Sequence, residues 1–151
     1  MTLEAACLEL AKYAFHKNPT GGDRAFYKLL EQSSLHTHTE NGDLTSMIVD
    51  THFQVNFQGQ TVPMSGIGYV ASYPEFRGNG AASQLMTDIL RENYQNETFF
   101  SYLAPFSYGF YSKFGYSYVF NQKHYEINAV DFPVGAKTDL TVKRLAYRQH
   151  R

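Results

Sequence analysis

Tyr69-Val70-Ala71-Ser72-Tyr73-Pro74-Glu75-Phe76-Arg77-Gly78-Asn79-Gly80-Ala81-Ala82 is the stretch that decides the fold. An apolar, strand-like run ends at Ser72, a loop carrying Pro and Gly follows, and small residues open an amphipathic helix. From Ala81 to Tyr94 the residues Leu85, Met86, Ile89 and Leu90 recur at helical spacing. The first amides of a helix have no partner inside it and carry its partial positive charge, so such a junction suits a phosphate. Gly78, Gly80, Ala81 and Ala82 let an anion reach the backbone without side chains in the way, and Arg77 would add a charge-assisted contact or fix the loop. No Lys-Ser/Thr pair follows the glycines, which disfavours a nucleotide-triphosphate loop. A dinucleotide fingerprint would need G-x-G-x-x-G in an early βαβ unit. The bland alternative is a glycine-rich turn that only starts a helix.

Working outward, Thr2 is an N-cap for a helix over Leu3 to Lys17, broken by Asn18-Pro19-Thr20-Gly21-Gly22. Asp23 caps a second helix over Arg24 to Gln32. Leu35 to Glu40, Asn41-Gly42-Asp43 and Leu44 to Phe57 read as a hairpin, because Asn-Gly suits the positive φ angles of a tight turn. A strand follows over Met64 to Ser72, with Pro63 and Gly66 suggesting an edge, a bulge or an irregular entry. So an antiparallel meander precedes the glycine loop. Beyond the central helix the sequence predicts a short strand over Thr98 to Leu103 and a short helix over Phe106 to Lys113, stopped by Gly115. Aromatic strands are expected over Tyr116 to Phe120 and His124 to Asn128. The class is α/β, a mixed sheet in one layer with helices packed on it.

The chain has 151 residues, enough for one domain with a substantial core. Its aromatic share of 16% is all Phe and Tyr, which suits a sheet-rich domain with a lined cleft. A formal net charge of −1 leaves no electrostatic footprint for nucleic acid. Cys7, the single cysteine, rules out an internal disulfide, fits a reducing compartment and reads as a buried helix residue rather than a reactive thiol. No segment approaches the ~20 apolar residues of a membrane span, and the N-terminus does not read as a signal peptide. No membrane partner and a cytoplasmic location are the expectations.

Arg77-x-x-Gly80-x-Ala82, after a hydrophobic strand and Pro74, resembles motif A of the GCN5-related N-acetyltransferases (GNAT), R/Q-x-x-G-x-G/A. A second stretch, Gly109-Phe110-Tyr111-Ser112-Lys113-Phe114-Gly115-Tyr116, resembles the G-x-Y-x-R/K-F-G-Y segment of the Eis-type (enhanced intracellular survival) members. The resemblance implies a GNAT-like fold in which two adjacent parallel strands, here Ile67 to Ser72 and Thr98 to Leu103, splay apart. It implies acetyl-coenzyme A as cosubstrate, with Arg77, Gly78, Asn79, Gly80, Ala81 and Ala82 around its diphosphate. The main chain at Val70 and Ser72 would lie along the pantetheine arm. Tyr111 takes the general-acid role, protonating the departing thiolate; Tyr108, about one helical turn earlier, is the backup. The implied reaction is direct attack of a primary amine, from a small molecule or a lysine, on the thioester in a ternary complex.

No base is assigned by motif. Asp50, His52, Glu75 and Glu126 have suitable chemistry, but each reads as an ordinary strand or surface residue. His36 and His38 share a strand face at a spacing of two, yet no further ligand cluster supports a metal, and none is expected. Eis-type proteins continue into a second acetyltransferase-like domain and a sterol-carrier-like domain whose terminal carboxylate serves as base, and they assemble as hexamers. Residues 1–141 are therefore expected to form the acetyltransferase domain, and 142–151 to start a following element or be a truncated tail. The expected partners are a small-molecule or lysine amine acceptor, and either a homo-oligomer or missing C-terminal domains. The second reading is a coenzyme A-binding domain, inactive alone, that serves regulation or assembly in a longer protein.

Overall fold

The computed structural model describes residues 2–135, 139–141 and 143. The chain divides into two compact units, residues 1–117 and 118–151. In the first, α1 (Leu3–Phe15) and α2 (Gly22–Leu30) precede β1 (Ser33–Glu40), β2 (Asp43–Phe57) and β3 (Gln60–Ser72). Then come α3 (Ala81–Gln95), β4 (Phe100–Leu103) and the one-turn α4 (Tyr108–Tyr111). The sheet order is β1-β2-β3-β4, with antiparallel pairs up to β3 and a parallel β3–β4 pair that α3 connects.

Local chemistry accounts for these elements. The Thr2 hydroxyl accepts from the Ala5 amide at 3.3 Å and caps α1. Asn41 and Gly42, at φ 53° and 90°, form the two-residue turn that seats Glu40 opposite Asp43. Asp23 does not cap α2 as expected. Gly21, at φ 82°, takes the cap position, and the Asp23 carboxylate instead accepts from Lys12 Nζ at 3.0 Å. β3 begins at Gln60, earlier than expected, because the Gln58-Gly59 turn folds it onto β2 as far as the Phe57–Gln60 pair.

Both faces of the central strands are covered, which explains why β2 is buried continuously from Thr45 to Thr51. Met47 joins Cys7, Leu8, Leu10, Ala11 and Phe26 in the core under α1 and α2. Its neighbour Ile48 points the other way, into a core with Ile67, Leu85, Met86, Ile89 and Tyr111. Cys7 is fully buried in the first of these, and burial pushes its thiol up to about 11.

β3 carries a bulge, placed later than Gly66 suggests. Gly68 lies opposite Val49 and Ala71 opposite Met47, so β3 holds one residue more than β2 across this interval. Tyr69 takes the strain at φ 48°, and its ring packs edge-on against Phe15 and Phe26. Gly66 has a different cause: a Cβ there would lie 2.4 Å from the Phe53 ring.

The expected strands at Tyr116 to Phe120 and His124 to Asn128 do not form. Side-chain alternation marks a strand only where a second backbone lies in register to accept its ladder, and the 116–128 backbone enters no ladder among the described residues. In the second unit a 3-10 turn spans Ala129–Asp131, where Asn128 Nδ2 donates to Asp131 Oδ2 at 3.1 Å. The element expected from Val142 onward lies, apart from Lys143, outside the described residues.

Candidate functional site

The site forms where β3 and β4 part. Their pairing runs from Met64–Phe100 to Ile67–Leu103, and Ala104-Pro105 then ends β4, Pro having no N–H to continue a ladder. β3 continues to Ser72, so along residues 68–72 its backbone has no strand on the β4 side among the described residues. This segment holds both Val70 and Ser72. Val70 packs against the α3-side core, and the Ser72 hydroxyl is tied to Ser46 Oγ at 2.7 Å. Side chains at this edge are thus engaged with the fold and only main chain is left to face the gap.

At the end of β3 the chain makes a 3-10 turn over Pro74–Phe76, closed by the Arg77 amide donating to the Pro74 carbonyl at 3.2 Å. Gly78 and Gly80 then take φ 87° and 85°, angles that glycine adopts freely. Gly80 is the N-cap of α3, and its carbonyl receives the first helical bond from Gln84 at 2.9 Å. The cap has no side-chain acceptor and the first turn has no acidic residue. Among the described residues, nothing accepts from the amides of Gly78, Asn79, Gly80, Ala81 or Ala82. A Cβ added at either glycine would meet nothing within 4 Å, so both glycines border open space. The Arg77 side chain is exposed and has no acidic partner among the described residues. The arrangement is a positively polarised, uncapped helix start with a free guanidinium beside it, chemically an anion receptor.

Tyr111 ends α4 and sends its ring into the α3-side core, where the residue is 3% exposed. Phe106, Phe110 and Tyr116 pack around the ring edge-on. No described group hydrogen-bonds its hydroxyl. Among the described residues the one fully buried, unpaired side-chain polar atom is Asn93 Nδ2, so the phenol oxygen keeps an opening to the outside. Burial, with Tyr116 adding to it, pushes the phenol up to about 12. Tyr108 differs sharply: it is half-exposed at the start of α4.

The other candidates disperse. His52 is exposed on β2, its Nε2 3.1 Å from Ser34 Oγ, and Glu75 is exposed in the 3-10 turn. Glu126, in the second unit, sits 3.4 Å from His124. His36 faces Glu92 at 3.8 Å, whereas His38 Nδ1 lies 2.7 Å from Thr45 Oγ1. Among the described residues no three His, Cys, Asp or Glu side chains form a group that would hold a metal ion, and no helix is long and apolar enough to cross a membrane. Asp50 departs from expectation. It is 4% exposed, and its Oδ1 accepts from Ser65 at 2.6 Å. Ser101 donates to Ser65 at 3.4 Å, and Ser101 Oγ lies 2.6 Å from Tyr116 Oη. Sequence reading gave Ser65 and Ser101 no role and met Tyr116 only as a motif residue, since the strand register and the chain reversal at Gly115 bring the three together.

Comparison with known proteins bears on this geometry. The family model for the acetyltransferase (GNAT) domain matches residues 3–119. A conserved protein of Enterococcus faecalis, a probable N-acyltransferase, is 43% identical over 74% of this chain, with a TM-score of 0.70. A GCN5-related N-acetyltransferase of Kribbella flavida is 23% identical over 74% of the chain, with a TM-score of 0.64. The chain spans 29% of the length of each. A predicted acetyltransferase of Clostridium acetobutylicum, crystallised with acetyl-CoA, shares the fold at 15% identity, covering 85% of this chain and 91% of its own, with a TM-score of 0.65. No curated protein matches. With a family match that runs from α1 through α4, and with its splayed strands and open helix start, the chain belongs to the GNAT acetyltransferase domain family.

Proposed function

We propose that this chain is the coenzyme-binding, catalytic domain of an N-acetyltransferase that uses acetyl-coenzyme A and a primary amine. One observation carries the reading: the amides of Gly78 to Ala82 donate to no described group, a short loop beyond the β3 segment that parts from β4, and Tyr111 packs in the core beneath α3. The diphosphate takes the amides of Gly78, Asn79, Gly80, Ala81 and Ala82, with Arg77 against its charge. The pantetheine arm lies along the free backbone edge at Val70 and Ser72, and the thioester enters the gap.

An amine nitrogen then attacks the thioester carbonyl, and the tetrahedral species collapses with loss of the sulfur. Tyr111 donates to that sulfur as its negative charge develops. A phenol at about 12 is fully protonated at neutral pH. Transfer to a free thiolate, whose conjugate acid titrates near ~8.5, would be uphill. The same dry surroundings raise the basicity of the sulfur as well, which narrows the gap. Tyr111 therefore stabilises the departing sulfur as a hydrogen-bond donor and gives up its proton only as the C–S bond breaks, and the proton that the attacking amine loses restores the phenol.

The finer assignment is to the Eis-type group. The second motif supports it, as does the 43% identity to a chain of which this one spans 29%. In that arrangement the remaining chain supplies the acceptor pocket, a terminal carboxylate as base and the surfaces of a homo-oligomer, and the enzyme works in the cytoplasm on small-molecule amines or lysines. Calorimetric titration with acetyl-coenzyme A tests the site, and amine-dependent release of free thiol across polyamines, aminoglycosides and lysine peptides tests the reaction. Absence of binding at millimolar cosubstrate would sink the reading. Binding without thiol release, with and without the remaining chain, would reduce it to a coenzyme-binding domain.

A further inference from the structure

The motif around α4 contains two tyrosines whose hydroxyls have opposite fates. Gly115, at φ 90°, reverses the chain after the 3-10 turn over Ser112–Phe114. That reversal brings the Tyr116 amide to the Tyr111 carbonyl at 3.4 Å and sets the two rings edge to face, with centroids 6.1 Å apart. The Tyr111 hydroxyl meets no partner, whereas Tyr116 Oη is held by Ser101 on β4 at 2.6 Å.

The polarity of that hold follows from the far end. Ser65 Oγ donates to Asp50 Oδ1 at 2.6 Å and so spends its single proton there. Ser65 is then the acceptor for Ser101 at 3.4 Å, and Ser101, its own proton spent, accepts from the Tyr116 phenol. The middle bond is long, so the chain is two short links with a weak joint between them. Three strands nevertheless contribute to fixing one phenol, with its proton directed at Ser101 on β4.

Resting on the proposed function, we infer that Tyr116 is a positioning residue. Its anchored hydroxyl fixes the ring against which Tyr111 packs, and thereby holds the Tyr111 phenol where the thioester sulfur arrives. Tyr116→Phe keeps the ring and removes only the anchor, so a role in packing alone would leave the site unmoved. With a fluorinated tyrosine at position 111, fluorine NMR reads that ring directly, independently of turnover. In Tyr116→Phe and in Ser101→Ala the resonance at position 111 should shift or broaden. The coenzyme Kd should stay within about twofold, and kcat should fall about ten- to a hundredfold, the scale expected of misplaced catalytic groups. Ser101→Thr, which retains the hydroxyl, should restore both signals. If the resonance and kcat match the parent chain in both variants, the inference is overturned. Should the parent chain show no turnover at all, the proposed function fails while the fluorine signal still decides the positioning.

Discussion

Replacing Arg77 by Ala separates ligand binding from folding in a single variant. In the free protein the side chain is exposed and has no acidic partner among the described residues, so its loss should change stability by no more than about 0.5 kcal/mol. Against a diphosphate it is the one side-chain cation on the loop. A charge-assisted contact of this kind contributes about 1.5–3 kcal/mol, and removing it should weaken coenzyme binding roughly 10- to 150-fold. Thermal unfolding reads both numbers. With ligand at about 100 times the parent Kd, protection is about 2.7 kcal/mol, a rise in Tm of roughly 5–10 °C for a chain of this size. In Arg77→Ala the same concentration should protect by about 1.4 kcal/mol at most, and by a few tenths at the weaker extreme. Arg77→Lys should fall between, since it keeps the charge and loses the fork. A variant that binds within about twofold of the parent would remove Arg77 from the site and leave the amides as sole receptor. A variant whose ligand-free Tm collapses would refute the claim that the side chain is unengaged.

Further outcomes rest on the same structure. Tyr111→Phe should lower kcat with little effect on coenzyme Kd or Tm, because its hydroxyl has no partner to lose; unchanged turnover would take Tyr111 out of the mechanism. Its phenol, pushed up from 10.0 to about 12, is neutral in both folded and unfolded chains below pH ~10. From there to pH ~12 only the unfolded chain ionises, so up to about 3 kcal/mol of stability is lost over that window, and denaturant midpoints should flatten there in Tyr111→Phe. Burial moves Tyr69, Tyr73 and Tyr116 the same way, so the variant should reduce the slope, not abolish it. Gly115→Ala meets no steric obstacle but must hold φ 90°, a cost of about 1–2 kcal/mol visible as a lower Tm. Gly66→Ala drives a methyl into the Phe53 ring and should destabilise by about 1 kcal/mol, less than a buried clash because that ring is 46% exposed. Phe53→Leu should then recover part of the loss.

Much of this architecture was legible because it is set over short distances. Thr2, Asn41-Gly42 and the run from Arg77 to Ala82 each act through their own backbone or that of residues a few positions away, and a linear reading recovers such signals. The Tyr116 to Asn128 region went wrong for the converse reason: alternating aromatics state a preference, and a ladder depends on a backbone elsewhere. The Gly66 misreading is similar. Its cause is the Phe53 ring on the adjacent strand, and nothing within the local sequence discloses it. The polar chain from Asp50 to Tyr116 joins residues from three strands and the segment after α4, so no spacing rule would have gathered it. Asp50 was on the page as a candidate base and turned out to be the terminus of that chain.

The extra residue in β3 bears on how this gene can drift. On either side of Tyr69 the side chains keep their proper faces because the bulge absorbs one extra position: Ile67 and Val70 both reach the α3 core, and Ala71 reaches the opposite one. Point substitutions there disturb a single contact. A one-codon deletion at Tyr69 would instead remove the extra position, leaving Gly68 opposite Val49, Ala71 opposite Met47 and the side chains on their present faces in an ordinary ladder. Length is thus open to change by one residue at that point, whereas a residue lost from the regular ladder upstream would turn side chains to the other face.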